Sequence, residues 1–341
     1  MQKEEFQIID WIFYELKYNI RNTKFTFKDN ISNLVTGHLC DHDIKMYAGR
    51  KVLSIEETNT LIYDKIKSGE PFFAGRFGGS ELSVITQTLK YQAMPFRVDT
   101  RMDVLHNLCV LSGFFPEEQN EGKRFVDLML SCTGDIDLIG IWNLYMEEWI
   151  IKQYTSNINI TRLLRLEPWN LEESLKSVKP WSAALEGKKV LVIHPFAKSI
   201  ETQYINNREK IFSDLSVKNI LPEFDLITLK AVQTLGNDTG GYARWFDALD
   251  SMIEKIKTIE FDVAIIGCGA YGFPLASTIK KMGKVAIHLG GATQLLFGIK
   301  GKRWENSYSA VCDKMMNQYW VRPLPEESVA NKKKIEDGCY W

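Results

Sequence analysis

Apolar positions recur along the chain at spacings typical of helices. In residues 1–45 they follow a helical period, which predicts an amphipathic helix followed by an irregular segment. Ser54 and Glu57 form a capping box that opens a second helix, which we expect to end near Gly69. Four further apolar periodicities predict helices through residues 82–89, 117–131, 197–212 and 245–256.

Short apolar runs between these helices predict buried strands. They lie at residues 71–74, 136–141, 190–193, 224–229, 262–266 and 285–289. The last two runs flank a glycine turn and a short helix that ends at Gly283, and this order is typical of a βαβ unit with parallel strands. The predicted fold is therefore α/β, with a Rossmann-like parallel sheet flanked by helices.

The same pattern divides the chain into four parts. We expect an N-terminal helical extension at 1–50 and an N-terminal α/β half at 51–185. A Rossmann-like, nucleotide-binding half follows at 186–305. Residues 306–341 are polar and aromatic, and they predict a C-terminal tail that wraps over the body.

Composition narrows the class of protein. The formal net charge of −1 leaves no electrostatic footprint for nucleic acid, so we expect no nucleic-acid partner. Six cysteines without a CxxC pair indicate reduced thiols rather than a disulfide framework. No apolar run approaches the roughly 18 residues of a membrane span. We therefore predict a soluble, cytoplasmic protein, with peripheral association at the inner face of the membrane and homo-oligomer formation left open.

A full G-x-G-x-x-G motif lies between a predicted strand and a predicted helix, at Gly267-Cys268-Gly269-Ala270-Tyr271-Gly272. Its glycines permit a tight turn, and the helix N-terminus behind it favours a phosphate. The alternative is that the glycines only let helix and strand pack closely.

The dinucleotide version of this motif also requires an acidic residue about 20 positions further on. The sequence there is His288-Leu289-Gly290-Gly291, which argues against a classical NAD site. A second glycine turn, carrying Gly290, Gly291 and Gln294, ends the neighbouring strand instead. Two such turns at adjacent strand ends form a wider cradle for an anion.

Four other residues carry candidate chemistry. Arg76 could clamp a diphosphate and Glu81 could act as a general base or metal ligand, the alternative being a capped helix start with a surface salt bridge. His194 follows a third strand and either donates to a phosphate or is structural. Asp238 lies in a glycine-rich loop, where a plain turn is favoured over a place in the cleft. No HExxH, Walker A or GxSxG motif is present, so nothing supports a zinc hydrolase, a P-loop NTPase or an α/β-hydrolase.

Two stretches resemble the GT-D glycosyltransferases of bacterial polysaccharide and adhesin glycosylation clusters. GRFGGSEL, which includes Arg76 and Glu81, resembles the family's RFGDGE-type signature. DVAIIGCGAYGFPLASTIKKMGKVAIHLGGATQLLFG resembles the glycine turn and following strand of its C-terminal half. Together these two stretches extend the resemblance over roughly residues 55–305.

This resemblance implies a Rossmann-like fold, a nucleotide-sugar donor that is typically UDP-linked, and an Asp-x-Glu pair that binds a divalent metal such as Mn²⁺ or Mg²⁺. Arg76 and Glu81 match the family's arginine and glutamate, but the aspartate position is Gly79. Metal dependence is therefore left open. Without a metal, charge at the leaving diphosphate would be neutralised by Arg76, His194, Arg303 and the helix N-terminus after Gly272.

The resulting hypothesis is a glycosyltransferase that moves a sugar from a nucleotide diphosphate to a saccharide or lipid-linked saccharide in bacterial surface polysaccharide (capsule) biosynthesis. The alternatives are an NAD(P)-dependent oxidoreductase and a non-catalytic nucleotide-binding partner in a polysaccharide assembly complex. Glu81 and Arg76 are the predicted catalytic residues. The predicted nucleotide-binding residues are Gly78, Gly79, Ser80, His194, Gly267, Gly269, Tyr271, Gly272, Gly290, Gly291, Gln294 and Arg303.

Overall fold

A computed structural model describes residues 8–36, 44–94, 99–170, 178–234, 238–307, 315–328, 338 and 340–341. The helices are α1 (Ile8–Thr36), α2 (Ile55–Ser68), α3 (Gly79–Ala93), α4 (Arg101–Ser112), α5 (Gln119–Thr133), α6 (Glu147–Tyr154), α7 (Ala197–Ile211), α8 (Trp245–Lys257), α9 (Gly272–Lys281), α10 (Thr293–Leu296) and α11 (Lys302–Ser307). The strands are β1 (Met46–Tyr47), β2 (Arg50–Lys51), β3 (Phe72–Gly75), β4 (Leu138–Ile141), β5 (Asn159–Arg162), β6 (Lys189–His194), β7 (Asp225–Lys230), β8 (Val263–Ile266) and β9 (Val285–His288).

Seven of the described strands form one parallel sheet in the order β5-β4-β3-β9-β8-β6-β7. The two remaining strands, β1 and β2, form a small antiparallel hairpin. Helices cover both faces of the sheet, so the prediction of an α/β fold with a parallel sheet is confirmed.

The centre of the sheet joins distant parts of the chain. Strand β3 pairs in parallel with β9, with Phe72 opposite Val285 and Ala74 opposite Ile287. The stretches 51–185 and 186–305 thus share a single sheet, and the boundary between them stays a prediction.

The strands alternate in the direction of their side chains, as the period of two requires. Along β6, Leu191 and Ile193 belong to one core cluster, whereas Val190 and Val192 belong to the other. Both faces are buried, which explains why these strands are continuous apolar runs in the sequence.

The chain leaves the adjacent strands β6 and β8 in opposite directions. Helix α7, which leads from β6 to β7, packs in the second core cluster, and α9, which leads from β8 to β9, packs in the first. Such a point of reversal opens a crevice at the carboxyl ends of the strands, where ligands of open α/β sheets bind.

Local signals in the sequence explain the ends of α2. The Ser54 side chain accepts from the Glu57 amide at 3.1 Å and the Glu57 carboxylate accepts from the Ser54 amide at 2.8 Å. Gly69 ends the helix in the left-handed conformation, with a φ of 70°. Among the helices that the structure describes, none is both long and apolar enough to cross a bilayer.

Candidate active site

A cavity of about 270 Å³ lies at the carboxyl edge of the sheet. Residues that follow every strand of the large sheet contribute to its wall: Arg76 after β3, Trp142 after β4, Leu163 after β5, Pro195 after β6, Gln233 beyond β7, Gly267 after β8 and Leu289 after β9. The cavity therefore lies where the fold itself predicts a ligand.

Most of the residues that the sequence indicated meet at this cavity, although they come from distant parts of the chain. Those that line it are Arg76, Gly78, Gly79, Ser80, Glu81, His194, Gly267, Gly269, Gly290, Gly291, Gln294 and Arg303.

Two of the indicated residues lie behind the cavity wall instead. The Tyr271 ring stacks on Trp245, with centroids 4.8 Å apart, and its hydroxyl is 3.0 Å from the Thr234 hydroxyl. A Cβ added to Gly272 would overlap the imidazole of His288. Both residues therefore serve packing rather than lining the cavity.

The Arg76 side chain crosses from the first half of the chain to the second glycine turn. A Cβ added to Gly290 would overlap the Arg76 guanidinium, so the two residues are in direct contact. The guanidinium also lies 5.7 Å from the centroid of the Trp142 ring, whose Nε1 donates to the Phe77 carbonyl at 3.1 Å. Arg76 thus presents a fixed positive charge at the glycine-lined wall.

Glu81 lies in the first turn of α3 and is 7% exposed. Its carboxylate folds back over Gly78, because a Cβ at Gly78 would overlap the carboxylate oxygens. Burial raises the pKa of Glu81, while Arg76, the Glu81 backbone amide and the Ser112 side chain oppose that shift. A buried carboxyl in this position does not belong to a surface salt bridge.

A second carboxyl group, which the sequence did not indicate, lines the same cavity. Glu167 follows β5 and a short 3-10 helix, Leu163–Leu166, and its carboxylate accepts from Asn170 Nδ2 at 2.6 Å. Burial raises the pKa of Glu167 to about 7, and hydrogen bonds from Asn170 and Trp169 and the charge of Arg76 oppose that shift. Such a group changes protonation near neutral pH, as a general acid or base must.

Two buried histidines also border the cavity. His194 Nδ1 accepts from the Phe196 amide at 2.9 Å, so the neutral ring carries its proton on Nε2. Burial lowers the pKa of His194 to about 3. Burial, assisted by the charge of Arg76, likewise lowers the pKa of His288 to about 3. Both rings are therefore neutral at physiological pH, and His194 can act toward a ligand as a neutral hydrogen-bond donor through Nε2.

The glycines of the G-x-G-x-x-G motif all have a packing reason. A Cβ at Gly267 would overlap the Gly290 carbonyl and lie 2.6 Å from the Thr293 hydroxyl. Gly269 has a φ of 56°, and a Cβ there would lie 2.9 Å from the Ser112 carbonyl oxygen. Gly267 and Gly269 are thus closely packed, and both still line the cavity.

The far wall of the cavity is built from the second glycine turn and the end of the chain. Gln294 is fully buried, and its Nε2 donates to the carbonyls of Ile299 and Tyr340 at 3.2 Å and 3.3 Å. Arg303 Nη1 donates to the Tyr340 hydroxyl at 3.0 Å. Asp238 takes no part in the wall, because it is exposed and its carboxylate accepts from the Gly240 amide in a turn.

The donor set does not match the carboxylate pair that the family signature uses for a divalent metal. Gly79 stands at the aspartate position, and the ring of Trp142 lies 3.8 Å from where a Cβ there would be. Within the described residues, no group of three or more His, Cys, Asp or Glu side chains could hold a metal ion. Arg76 and Arg303 are the arginines that line the cavity.

Comparison with known proteins bears on the same part of the chain. Residues 242–296 match the family model of the GT-D fold-like domain, which confirms the resemblance drawn from the glycine-turn segment. No curated protein matches the chain. The match supports a glycosyltransferase, without specifying donor, acceptor or pathway.

Two solved structures resemble the chain distantly. One is described as showing that the highly conserved domain of unknown function 1792 has a distinct glycosyltransferase fold; it has 12% identity and a TM-score of 0.39, and covers 71% of this chain and 79% of its own. The other is a selenomethionine-substituted structure of the same domain, with 11% identity and a TM-score of 0.41, covering 80% of this chain and 95% of its own.

Proposed function

We propose that the protein is a glycosyltransferase that moves a sugar from a nucleotide diphosphate, most simply a UDP-sugar, to a saccharide or lipid-linked saccharide in bacterial surface polysaccharide biosynthesis. One observation carries the proposal: Arg76, after β3, and Glu81, in the first turn of α3, share a cavity with the glycine turns after β8 and β9. The family match at 242–296 supports the same class of reaction.

The donor diphosphate would lie along the glycine turns. Gly267, Gly269, Gly290 and Gly291 all line the cavity, so the phosphates would lie against their backbone. The Arg76 guanidinium would bind the phosphate oxygens and stabilise the charge that develops as the sugar leaves.

Two carboxylates are candidates for deprotonating the acceptor hydroxyl. Glu81 is the more buried, and Glu167 is half-buried with a pKa of about 7. Either would take the proton as the acceptor oxygen attacks the anomeric carbon, while the bond to the diphosphate breaks. The variants Glu81→Gln and Glu167→Gln distinguish these two residues. Transfer should be lost in the variant that lacks the base and kept in the other, and both variants retain Arg76.

The direct experiment is a titration of UDP-sugars and other nucleotide sugars into the protein, followed by calorimetry. We expect saturable binding, and release of the nucleoside diphosphate when a saccharide acceptor is added. The Arg76→Ala variant should bind more weakly, whereas Arg244→Ala, which removes an exposed arginine paired with Asp247, should bind as the wild type does. Absence of binding at millimolar nucleotide sugar, or thermal protection by NAD(H) alone, would contradict the proposal.

A further inference from the structure

Helix α1 carries an unusual amount of exposed apolar surface. More than half of the exposed large hydrophobic side chains of the described residues lie on it: Ile8, Ile9, Ile12, Phe13, Leu16, Ile20 and Phe27. Ile9 is 75% exposed and Phe27 is 66% exposed, so these side chains project into solvent. Apolar surface concentrated in this way marks an interaction site.

The other face of α1 is already used. Trp11 is fully buried and packs on Trp149, with ring centroids 5.5 Å apart. Lys17 and Arg21 both form ion pairs with Glu148 on α6. Because these contacts fix α1 to the body, its exposed face cannot turn inward to bury itself.

The exposed face follows a heptad repeat. Steps of four and three residues alternate along one line of the helix: Ile9, Phe13, Leu16, Ile20, Thr23 and Phe27. Thr23 fits this line, since its hydroxyl donates to the Asn19 carbonyl at 2.9 Å and leaves its methyl group to pack. An alternation of four and three is the spacing of the a and d positions of a coiled coil.

We propose that two copies of the chain pair through α1 in an antiparallel coiled coil. In this register Ile9 packs against the partner's Phe27, Phe13 against the partner's Thr23, and Leu16 against the partner's Ile20. Each pair recurs when the copies are exchanged, so the interface has the two-fold symmetry of a closed dimer.

The charges beside the seam favour the antiparallel direction. Asp10 and Lys24 are both exposed and occupy equivalent flanking positions of the heptad. Antiparallel pairing places Asp10 next to Lys24 of the partner subunit, and it does so twice. In a parallel pair these positions face the opposite flank of the partner helix, so Asp10 and Lys24 would not meet. Lys17, which lies between Asp10 and Lys24 in the sequence, forms an ion pair with Glu148 of its own chain.

Sedimentation velocity at micromolar concentration tests the dimer. We expect a species of twice the 39.3 kDa chain mass for the wild type and a monomer for the double variant Leu16→Glu, Ile20→Glu. Circular dichroism should show both folded, because both positions are more than half exposed. Ile205→Glu, at a 71% exposed position on α7, is the matched control and should stay dimeric.

Charge reversal tests the direction of pairing. Asp10→Lys should weaken the dimer, and adding Lys24→Asp should restore it. A mixture of Ile9→Cys and Phe27→Cys chains should form a crosslink that neither variant forms alone. A monomeric wild type, or a dimer insensitive to these α1 variants, would overturn the proposal. A monomer that binds vesicles of anionic lipid would instead assign the face to a membrane surface.

Discussion

The guanidinium of Arg76 occupies the space that a side chain at Gly290 would fill. These residues follow adjacent strands, β3 and β9, whose carboxyl ends border the same cavity. Gly290 also has a φ of 61°, a left-handed conformation that glycine adopts without strain. Because Gly290 has no side chain, the Arg76 guanidinium can occupy this position in the cavity wall.

Gly290→Ala should displace Arg76 and strain the backbone. We expect a loss of about 1–2 kcal/mol of stability from the positive φ, together with weaker binding of nucleotide sugar. Gly283→Ala is the matched control, because Gly283 has a φ of 82° and a Cβ there meets no described atom within 4 Å. Thermal unfolding should show a similar loss for both variants, and calorimetry should show weaker binding for Gly290→Ala alone. Equal affinities in the two variants would argue against a role of Arg76 in binding.

Arg76→Ala should weaken nucleotide-sugar binding by removing a charged hydrogen-bond donor. Such bonds contribute about 1.5–3 kcal/mol, which corresponds to roughly a tenfold to hundredfold rise in Kd. Arg76→Lys keeps the charge but loses the planar fork, so its Kd should lie between those of wild type and Arg76→Ala. Calorimetric titration gives all three values. An Arg76→Lys variant as weak as the alanine variant would show that geometry, rather than charge, dominates.

Transfer activity should depend on pH through Glu167 if this residue is the base. Its pKa is about 7, and only the deprotonated carboxylate can accept a proton. Activity should therefore rise with pH through about 7, and Glu167→Gln should lower the rate and remove that rise. Initial rates from pH 5.5 to 8.5 provide the measurement, with Glu254→Gln on the exposed face of α8 as the control. A profile that Glu167→Gln leaves unchanged while Glu81→Gln abolishes it would assign the base to Glu81.

The contribution of Glu147 to the stability of the folded protein should fall as pH rises. This carboxyl is fully buried at the start of α6, where it accepts from the Tyr47 hydroxyl at 3.0 Å, and burial raises its pKa from 4.5 to about 7. Between those two values the folded state binds a proton that the unfolded state has released, so this group's contribution falls with rising pH.

The Glu147→Gln variant should therefore gain stability relative to wild type as pH rises from 4.5 to 7, by up to about 3 kcal/mol. The difference in free energy of unfolding between the two proteins, measured by urea denaturation at pH 4.5 and pH 8, tests this. Other groups titrate over the same range, but they cancel in the difference. A difference that does not change with pH would show that Glu147 titrates alike in the folded and unfolded states.

Local signals made much of the fold predictable. The capping box at Ser54 and the glycine at Gly69 identified both ends of α2. Doubly buried strands such as β6 and β8 appear in the sequence as apolar runs. The strand β5 was not predicted, because Asn159–Arg162 lies at the edge of the sheet and is partly polar. Helix α4 was not predicted either; Arg101–Ser112 has little separation of apolar and polar faces.

The candidate site divides in the same way. Arg76 and Glu81 stood out because a glycine turn with charged residues follows a buried strand. Glu167 carried no such signal, since it lies in irregular backbone and gains its properties only from tertiary burial. Tyr271 and Gly272 matched a motif, but they face the hydrophobic layer beneath the turn. Whether such residues line the cavity depends on how distant elements of the chain pack together.

The pairing of β3 with β9 has a consequence for how the protein is made. More than two hundred residues separate the two strands, so a nascent chain carries Arg76 long before its glycine partner has been synthesised. Until then the edge of β3 that β9 will cover stays open to pairing with other strands. The cavity is therefore among the last features to form, and truncated or stalled chains are expected to aggregate.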